Sequence, residues 1–317
     1  LLASVWEEVL RTERVGIHDN FFELGGDSIK AIQIAARLNE HGLKFEMKDL
    51  FKNPTVYELV PYIRFAAASA EQGLIQGDVP LTPIQHWFFE QQFPIPEHFN
   101  QSMMLFQEEE WNCEAVMEAF RKLCVHHDAL RMVYSSSKQY SRGTEAIDFT
   151  LQRFDFRGVT DAKPLIEKEA NYLQASLNLA EGLLIKLGIF ETDVGSYLLI
   201  IIHHLVVDGV SWRILLEDFH RLYEKGEVLP PKTTSYRAWA SGLSEYARGR
   251  AIQKEIPYWE GVESMKVAPL PKDRENDGSF SKIEALHFSL DEKETHQLLT
   301  EAHRAYQTEI NDLLLAA

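Results

Sequence analysis

Apolar side chains recur at helical spacing through residues 1–66 and predict three main helices. In "SVWEEVLRT" they share one face: Val5, Trp6, Val9 and Leu10. A second helix is predicted to begin at Ser28 and to end before Gly42. Its apolar side consists of Ile29, Ile32, Ala35, Ala36 and Leu38. A third follows Thr55, which is placed to form a capping box with Glu58, and "KDLF" adds a short turn. This region is therefore expected to be a small all-α helical bundle.

From Pro80 onward the pattern changes to alternating helices and strands. Helical spacing recurs in "AVMEAFRKLCV" and "SWRILLEDFHRLY", whereas "ALRMVY" alternates as a strand does. The stretch "SYLLIIIHHLVVD" is rich in branched residues and apolar on both faces, which is typical of a central strand. Residues 80–317 are therefore predicted to form an α/β domain. Residues 67–79 lack a sustained pattern, contain two glycines and are predicted to be a linker.

Composition and charge narrow the class of protein. Of the 317 residues, 45% are hydrophobic and 25% are charged, as in ordinary globular domains. The formal net charge of −16 argues against a nucleic-acid surface, which needs a basic face. The longest apolar run is interrupted by two histidines and is too short to cross a membrane. Because no signal peptide is evident and Cys113 and Cys124 lack metal-ligand spacing, we expect reduced thiols in a cytoplasmic protein.

Ser28 lies at the start of the second predicted helix, in "GGDSIKAIQ". Its hydroxyl could cap the helix, or it could be the point at which a group is attached. A phosphate there would meet unpaired N–H groups and the positive end of the helix dipole. Gly25 and Gly26 would let the backbone bend and give a modifying enzyme access, whereas the carboxylate of Asp27 would repel a phosphate. These residues by themselves leave both interpretations open.

The paired histidines of "HHLVVDGVSW" end the predicted central strand. Two histidines in this place could be satisfied core residues or metal ligands. Adjacent strand residues point to opposite faces, so His203 and His204 are poorly placed to bind one ion, and no metal is predicted. The same geometry lets one imidazole face a channel while the other packs inside. Asp208 and Gly209 follow in a tight turn, where an acid can fix the surroundings of a base.

The string "DNFFELGGDSIKAIQIAARL" resembles the 4′-phosphopantetheine attachment motif of carrier proteins from nonribosomal peptide synthetases. The resemblance implies that Ser28 carries the phosphopantetheine arm as a phosphodiester, with Gly26 and Asp27 as part of the binding motif. It also implies three partners: a phosphopantetheinyl transferase, an upstream adenylation domain and a downstream condensation domain. In this family an acid before the serine is typical of carriers that precede an epimerization domain.

Residues 80–317 resemble the condensation-domain superfamily, which shares its fold with chloramphenicol acetyltransferase. HHxxxDG, found here in "HHLVVDGVSW", is the superfamily signature, and "HHDALRMVY" is similar to its second motif. "LTPIQHWFFEQ" and "DGVSW" resemble the epimerization forms, and "NDLLLAA" resembles the start of the next epimerization motif. Residues 80–317 are thus expected to form the N-terminal lobe and the start of the C-terminal lobe of an epimerization domain.

The resemblance assigns roles to residues of the histidine motif. His204 is implied to be catalytic, and His203 is implied to support the strand end. Asp208 is implied to be structural and to pair with an arginine, for which Arg131 is the candidate; a plain surface charge is the alternative for Arg131. The implied reaction inverts the Cα of an aminoacyl or peptidyl thioester, since one group removes the proton and another returns it on the opposite face.

Part of the site that the family implies is missing from this sequence. The second proton-transfer group is expected to be a glutamate in an EGHGRE-like motif, and that string does not occur before Ala317. Both ends are expected to be cut from a longer protein, so this stretch alone is expected to be inactive or impaired. Two alternatives stay open: a carrier followed by a condensation domain, and a non-catalytic acyl shuttle whose α/β part docks partners. The sequence after Ala317 would distinguish epimerization from condensation.

Overall fold

The computed structural model describes residues 1–65, 70–135, 138–148, 151–269, 286, 288–302, 308 and 310–316. The chain divides into two compact units, Leu1–Tyr258 and Trp259–Ala317. The predicted boundary between the bundle and the linker, at residues 66 and 67, lies outside the described residues. The same is true of the last residue of "NDLLLAA".

The first unit begins with a helical region. Its elements are α1 (Leu2–Leu10), α2 (Ser28–Glu40), β1 (Leu43–Lys44), α3 (Met47–Lys52), α4 (Val56–Leu59), a 3-10 turn (Val60–Tyr62) and β2 (Arg64–Phe65). Thr55 begins α4 as predicted, because its hydroxyl accepts the N–H of Glu58 at 3.2 Å. The core contains the fully buried Trp6 and Phe21, whose rings meet edge to face with centroids 5.2 Å apart. The strands β1 and β2 pair antiparallel beside it.

The buried face of α2 shares only Leu38 with the predicted apolar side. Ala31, Ile34 and Leu38 are fully buried in the core of the helical region. Ile32, which was expected inside, is 37% exposed. Gly42 follows the helix with a φ of +70°, a left-handed conformation that favours glycine, as predicted for the helix stop. Apolar residues therefore cover two faces of α2, and only one of them packs within this region.

A mixed α/β lobe follows in the same unit. Its elements are β3 (Gly77–Val79), α5 (Pro83–Glu90), β4 (Asn100–Gln107), α6 (Cys113–His126), β5 (Met132–Ser135), β6 (Lys138–Ser141), β7 (Leu151–Asp155), α7 (Lys163–Ala175), β8 (Ile185–Thr192), β9 (Gly195–His203), α8 (Gly209–Tyr223), α9 (Tyr236–Ala247), α10 (Arg250–Gln253) and α11 (Ile256–Glu263). Three 3-10 turns lie between them, at Pro96–His98, Asp128–Arg131 and Thr144–Ala146. Helix α11 continues past Tyr258 into the second unit, which also contains α12 (Glu292–Thr300) and α13 (Ile310–Ala316).

The strand that carries the histidine motif is central in its sheet, as predicted. The order is β4-β9-β8-β7, with β9 antiparallel to both neighbours and β7 parallel to β8; β3-β6-β5 is a separate sheet. Ile200 and Ile202 of β9 pack in the core that contains α6 and α8 residues. Leu199 and Ile201 pack in a second core with Leu173 of α7. Because helices cover both faces of the sheet, β9 is apolar on both sides.

Candidate functional site

Ser28 is the first residue of α2, and its side chain is exposed. The cap is Asp27, whose Oδ1 accepts the N–H groups of Ile29 and Lys30, each at 2.8 Å. The cap interpretation of Ser28 is therefore wrong. The Ser28 hydroxyl has no hydrogen-bond partner among the described residues, so it is accessible for a phosphodiester. The expectation that a phosphate meets unpaired N–H groups is also wrong at Ile29 and Lys30, since Asp27 already binds both.

Gly25 and Gly26 are required for different physical reasons, the first for its backbone conformation and the second for a close contact. Gly25 has a φ of +83°, in the left-handed region, and its carbonyl accepts the ammonium of Lys30 at 2.7 Å. A Cβ on Gly26 would lie 2.5 Å from the backbone oxygen of Phe21 and 2.6 Å from its ring. Gly26 is thus required for the close approach of the turn to Phe21. The structure does not require it as space for a modifying enzyme.

His203 is a buried, fully hydrogen-bonded residue at the end of β9. Its Nδ1 accepts the N–H of Leu205 at 3.1 Å, so Nε2 carries the proton and donates it to the Pro96 carbonyl at 2.9 Å. Burial lowers the pKa of His203, and the Pro96 carbonyl opposes this shift only in part. The imidazole is therefore neutral. Its two hydrogen bonds tie the ring to Leu205 and to Pro96.

His204 faces the other way and is exposed. Its Nδ1 lies 2.8 Å from the carbonyl oxygen of Val207, which can only accept, so Nδ1 carries a proton. The ring stacks on Phe99 at a centroid distance of 5.2 Å and an interplanar angle of 19°. In the neutral ring Nε2 then carries a lone pair and no proton. A neutral imidazole in this tautomer can accept a proton at Nε2, as a general base must.

Asp208 caps α8, and its expected pairing with Arg131 is wrong. The Asp208 carboxylate accepts the N–H of Ser211 at 2.8 Å and its hydroxyl at 2.7 Å. Partial burial opposes ionisation of Asp208, but hydrogen bonds from Ser211 and from the Val210 N–H outweigh it and lower the pKa. A carboxylate at the start of a helix is well placed to do this, because the N–H groups there lack partners within the helix.

Arg131 is fully buried, so the surface-charge interpretation is also wrong. Its guanidinium binds the carboxylate of Asp128 at 2.6 Å. It also donates to four backbone carbonyls, those of Ile75, Cys124, Val125 and Arg142. The sequence pattern could not have shown this, because the acid that binds Arg131 lies three residues before it in a 3-10 turn and not in the histidine motif.

Sequence analysis missed Gln101, which lies beside His204. Gln101 is on β4, opposite Ile202 of β9. Its side-chain nitrogen is 3.4 Å from Nε2 of His204, and its oxygen accepts the indole N–H of Trp212 at 2.9 Å. The available signal was "DGVSW", whose tryptophan is buried in α8 and has an N–H that needs an acceptor.

A cavity of about 1390 Å³ lies between α2 and the lobe. On the α2 side its lining includes Ile29, Ile32 and Ala36, the apolar residues that the helical core leaves out. Val210 and Ile214 of α8 are among the lining residues on the other side. The second apolar face of α2 therefore lies opposite the helix that follows the histidine motif.

One group of side chains in this cavity has the donor types of a metal site. The donor atoms of His126, His127 and Asp218 lie within 4.8 Å of one another. His127 Nε2 is already hydrogen-bonded to Asp218 Oδ2 at 2.8 Å. Burial, followed by the neighbouring charges of His127 and Lys232, lowers the pKa of His126. A cation would have to compete with this hydrogen bond and with the charge of Lys232, so we assign no metal to this group.

The two cysteines are free thiols, as expected. Cys124 is fully buried in α6, and burial raises its pKa to about 12, so it is unreactive. Cys113, at the start of the same helix, is partly buried. Among the described residues, none of the helices is both long enough and apolar enough to span a bilayer.

The fold and the two sites define a carrier domain joined to a condensation-type lobe. The family model for the phosphopantetheine attachment site matches residues 1–63, and the model for the condensation domain matches residues 75–317. The chain therefore belongs to the condensation-domain family of nonribosomal peptide synthetases. Its condensation-type domain is preceded by a phosphopantetheine attachment domain, which carries a covalent 4′-phosphopantetheine.

Curated relatives are subunits of peptide synthases. The chain is 49% identical over 330 residues to surfactin synthase subunit 1 of Bacillus subtilis (strain 168), covering 100% of this chain and 9% of that protein. It is 44% identical over 328 residues to tyrocidine synthase 1 of Brevibacillus parabrevis, covering 100% of this chain and 30% of that protein. The chain thus spans less than a third of either relative.

Solved structures of the same superfamily share the fold. The epimerization domain from the third module of tyrocidine synthetase B is 39% identical, with a TM-score of 0.68 over 78% of this chain and 59% of that one. The starter condensation domain of rhizomide synthetase is 15% identical, with a TM-score of 0.51 over 61% of this chain and 49% of that one. The second similarity concerns the fold alone.

Proposed function

We propose that the chain is a carrier domain followed by an epimerization domain, which inverts the Cα of an aminoacyl or peptidyl thioester from L to D. The observation that carries this proposal is the 39% identity to a solved epimerization domain. The sequence forms "PIQHWF" and "DGVSW", together with Asp27 before the serine, favour the same choice over a condensation domain.

We assign residues 1–66 to a small carrier that is helical apart from β1 and β2, and residues 80–317 to the epimerization domain. Residues 67–79 are the proposed linker, whose last three residues form β3 and pair with β6. Ser28 carries the 4′-phosphopantetheine, which holds the acyl group as a thioester and so makes its Cα–H more acidic. The exposed hydroxyl of Ser28, which has no hydrogen bond within the described residues, supports this assignment, since Asp27 performs the capping. Gly26 and Asp27 shape the turn and the helix start beneath the attachment point.

In the proposed reaction His204 works through Nε2. The Val207 carbonyl holds the Nδ1 proton, so the Nε2 lone pair accepts the Cα proton on one face of the substrate. His203 keeps the strand end in place, and Asp208 fixes the start of α8. Inversion needs a second group on the opposite face, for which the family resemblance implies a glutamate in an EGHGRE-like motif.

The proposed partners follow from the same assignment. A phosphopantetheinyl transferase modifies Ser28, an upstream adenylation domain loads it, and a downstream condensation domain accepts the D-configured product. The compartment we propose is the cytoplasm, because reduced cysteines are usual there.

The test uses the full-length synthetase, with Ser28 loaded with an L-aminoacyl-pantetheine arm in D₂O. The released amino acid is scored for deuterium at Cα and for chirality. We expect deuterium and D-product, both lost in His204→Ala and both retained in His296→Ala, a control at an exposed histidine of α12. Loading without exchange would contradict epimerization and favour condensation, and failure to load would contradict the attachment at Ser28.

A further inference from the structure

The side chain of Gln101 connects the indole of Trp212 to the imidazole of His204. Its Oε1 lies 2.9 Å from the Trp212 Nε1, and its Nε2 lies 3.4 Å from the His204 Nε2. Gln101 is partly buried on β4, where it pairs with Ile202, the second-last residue of β9. Three different places in the fold, β4, α8 and the turn after β9, therefore supply the members of one polar chain.

The orientation of the Gln101 amide is fixed by chemistry. The indole N–H of Trp212 can only donate, so the amide atom that faces it is the oxygen. The NH₂ group consequently faces His204. Rotation of the amide by half a turn would bring two donors together at Trp212, whose ring is 6% exposed and has little access to water as an alternative partner.

The His204 ring is fixed in the same way. The Val207 carbonyl takes the Nδ1 proton, so the neutral ring presents its Nε2 lone pair to the NH₂ group of Gln101. The distance of 3.4 Å is long for a hydrogen bond, and catalytic hydrogen bonds are often long before the substrate arrives. If Nε2 became protonated, its N–H would meet the NH₂ group donor to donor. The NH₂ group of Gln101 therefore matches the tautomer in which Nδ1 carries the proton and Nε2 carries the lone pair.

We propose that Gln101 is a positioning residue, which keeps Nε2 of His204 free of a proton, and that Trp212 holds Gln101 in the orientation this requires. The inference rests on the proposed role of His204 as the base. It adds to that role the group that selects the reactive state of the imidazole, and it gives a function to the tryptophan of "DGVSW".

Two other titratable groups influence the same ring. His203, the preceding residue, is neutral and directs its own Nε2 proton to Pro96. Asp208 is ionised at neutral pH and interacts electrostatically with His204, but its carboxylate is bound to Ser211. Among the described residues, Gln101 is the one whose side chain lies within hydrogen-bond distance of His204 Nε2.

The test replaces Gln101 with a carboxylate in the full-length synthetase. In Gln101→Glu one oxygen still accepts from Trp212, while the other accepts a proton from His204 Nε2 and stabilises the charged ring. We expect ¹⁵N NMR of the His204 ring to show a proton on Nδ1 alone in the parent protein at neutral pH, and a proton on both nitrogens in the variant. We also expect epimerization at neutral pH to fall by about ten- to a hundredfold and to recover at higher pH.

The control is Gln107→Glu, the same substitution on the same strand, six residues from Gln101, opposite Ser196. It should leave both the NMR signature and the pH profile unchanged. Gln101→Asn, which is too short to reach both partners, should lower activity without charging the ring. An identical ring state in the parent and in Gln101→Glu would overturn the inference, even if the parent epimerizes. An inactive parent with the expected ring states would instead overturn the proposed function and leave the role of Gln101 in setting the ring state supported.

Discussion

Arg37 of α2 forms an ion pair with Glu217 of α8, which joins the carrier helix to the lobe that carries the histidine motif. Arg37 also binds Glu8 at 3.2 Å and Glu40 at 3.1 Å, and Arg221 binds Glu217 at 2.9 Å. Partial burial disfavours the charge of Arg37, but the hydrogen bond and charge of Glu217 outweigh it and raise the pKa. The carboxylate of Glu217 therefore binds two arginines, Arg37 of α2 and Arg221 of its own helix.

Reversing the charge at Glu217 should release the carrier. In Glu217→Arg a third cation would lie beside Arg37 and Arg221, so we expect the ratio of docked to released carrier to fall by about fivefold, since partly exposed ion pairs contribute up to about 1 kcal/mol. The measurement is ¹⁵N relaxation of the carrier amides, which tumble faster when released.

The control for this effect is Glu118→Arg on α6, where an exposed acid pairs with Arg121 and Lys122. It should not change the relaxation of the carrier. The reciprocal pair Arg37→Glu with Glu217→Arg should restore part of the docking. Unchanged carrier relaxation in Glu217→Arg would contradict the contact between α2 and α8.

Phosphopantetheine attachment and capping of α2 should depend on different residues, the first on Ser28 and the second on Asp27. Ser28→Ala should abolish modification by a phosphopantetheinyl transferase and leave carrier stability nearly unchanged, because Asp27 is the cap. Asp27→Ala should keep the hydroxyl and lower the free energy of carrier unfolding by about 0.5–2 kcal/mol, the usual cost of a lost cap. Intact-protein mass spectrometry reports loading, and urea denaturation reports stability. Modification that persists in Ser28→Ala would place the attachment elsewhere.

The strand with the histidine motif could be predicted from sequence because its signal is local. An unbroken run of branched residues indicates burial on both faces, and β9 is covered by helices on both. The sequence also predicts that His203 and His204 differ in exposure, and they do, because β9 ends at the buried His203 and the exposed His204 begins the turn.

The partners of these residues could not be predicted, because they come from distant parts of the chain. Gln101 reaches His204 only through the register of β4 on β9, which no local pattern encodes. The second apolar face of α2 was assigned to the helical core, although Ile29, Ile32 and Ala36 line the cavity facing the lobe. Periodicity shows that a helix has an apolar side but does not say which domain covers it.

Arg131 and Asp208 should act independently on stability. Arg131→Lys should cost about 3–5 kcal/mol, because it breaks a buried fork of hydrogen bonds and weakens the pair with Asp128. Asp208→Ala should cost about 1 kcal/mol as a lost cap. Denaturation of both single variants and the double variant should show additivity within about 0.5 kcal/mol. A larger coupling energy would revive the pairing that the sequence suggested.

The buried His203 should make the lobe less stable in acid. Burial lowers the pKa of His203 below its ordinary value of about 6.5, so the unfolded chain binds this proton more readily than the folded one. The contribution is fully present above that value and is lost as the pH falls below it, with a slope of up to about 1.4 kcal/mol per pH unit. Urea denaturation of the lobe between neutral and mildly acidic pH measures this slope.

The comparison with His203→Gln isolates the contribution of His203. Burial also lowers the pKa of His126, so the parent protein should lose stability in acid from two histidines. His203→Gln and His126→Gln should each reduce the pH dependence of the free energy of unfolding. The double variant should show the smallest pH dependence of the three. If His203→Gln kept the full slope of the parent, His203 would not be neutral in the folded lobe. Its hydrogen bonds to Leu205 and Pro96 would then have to be assigned differently.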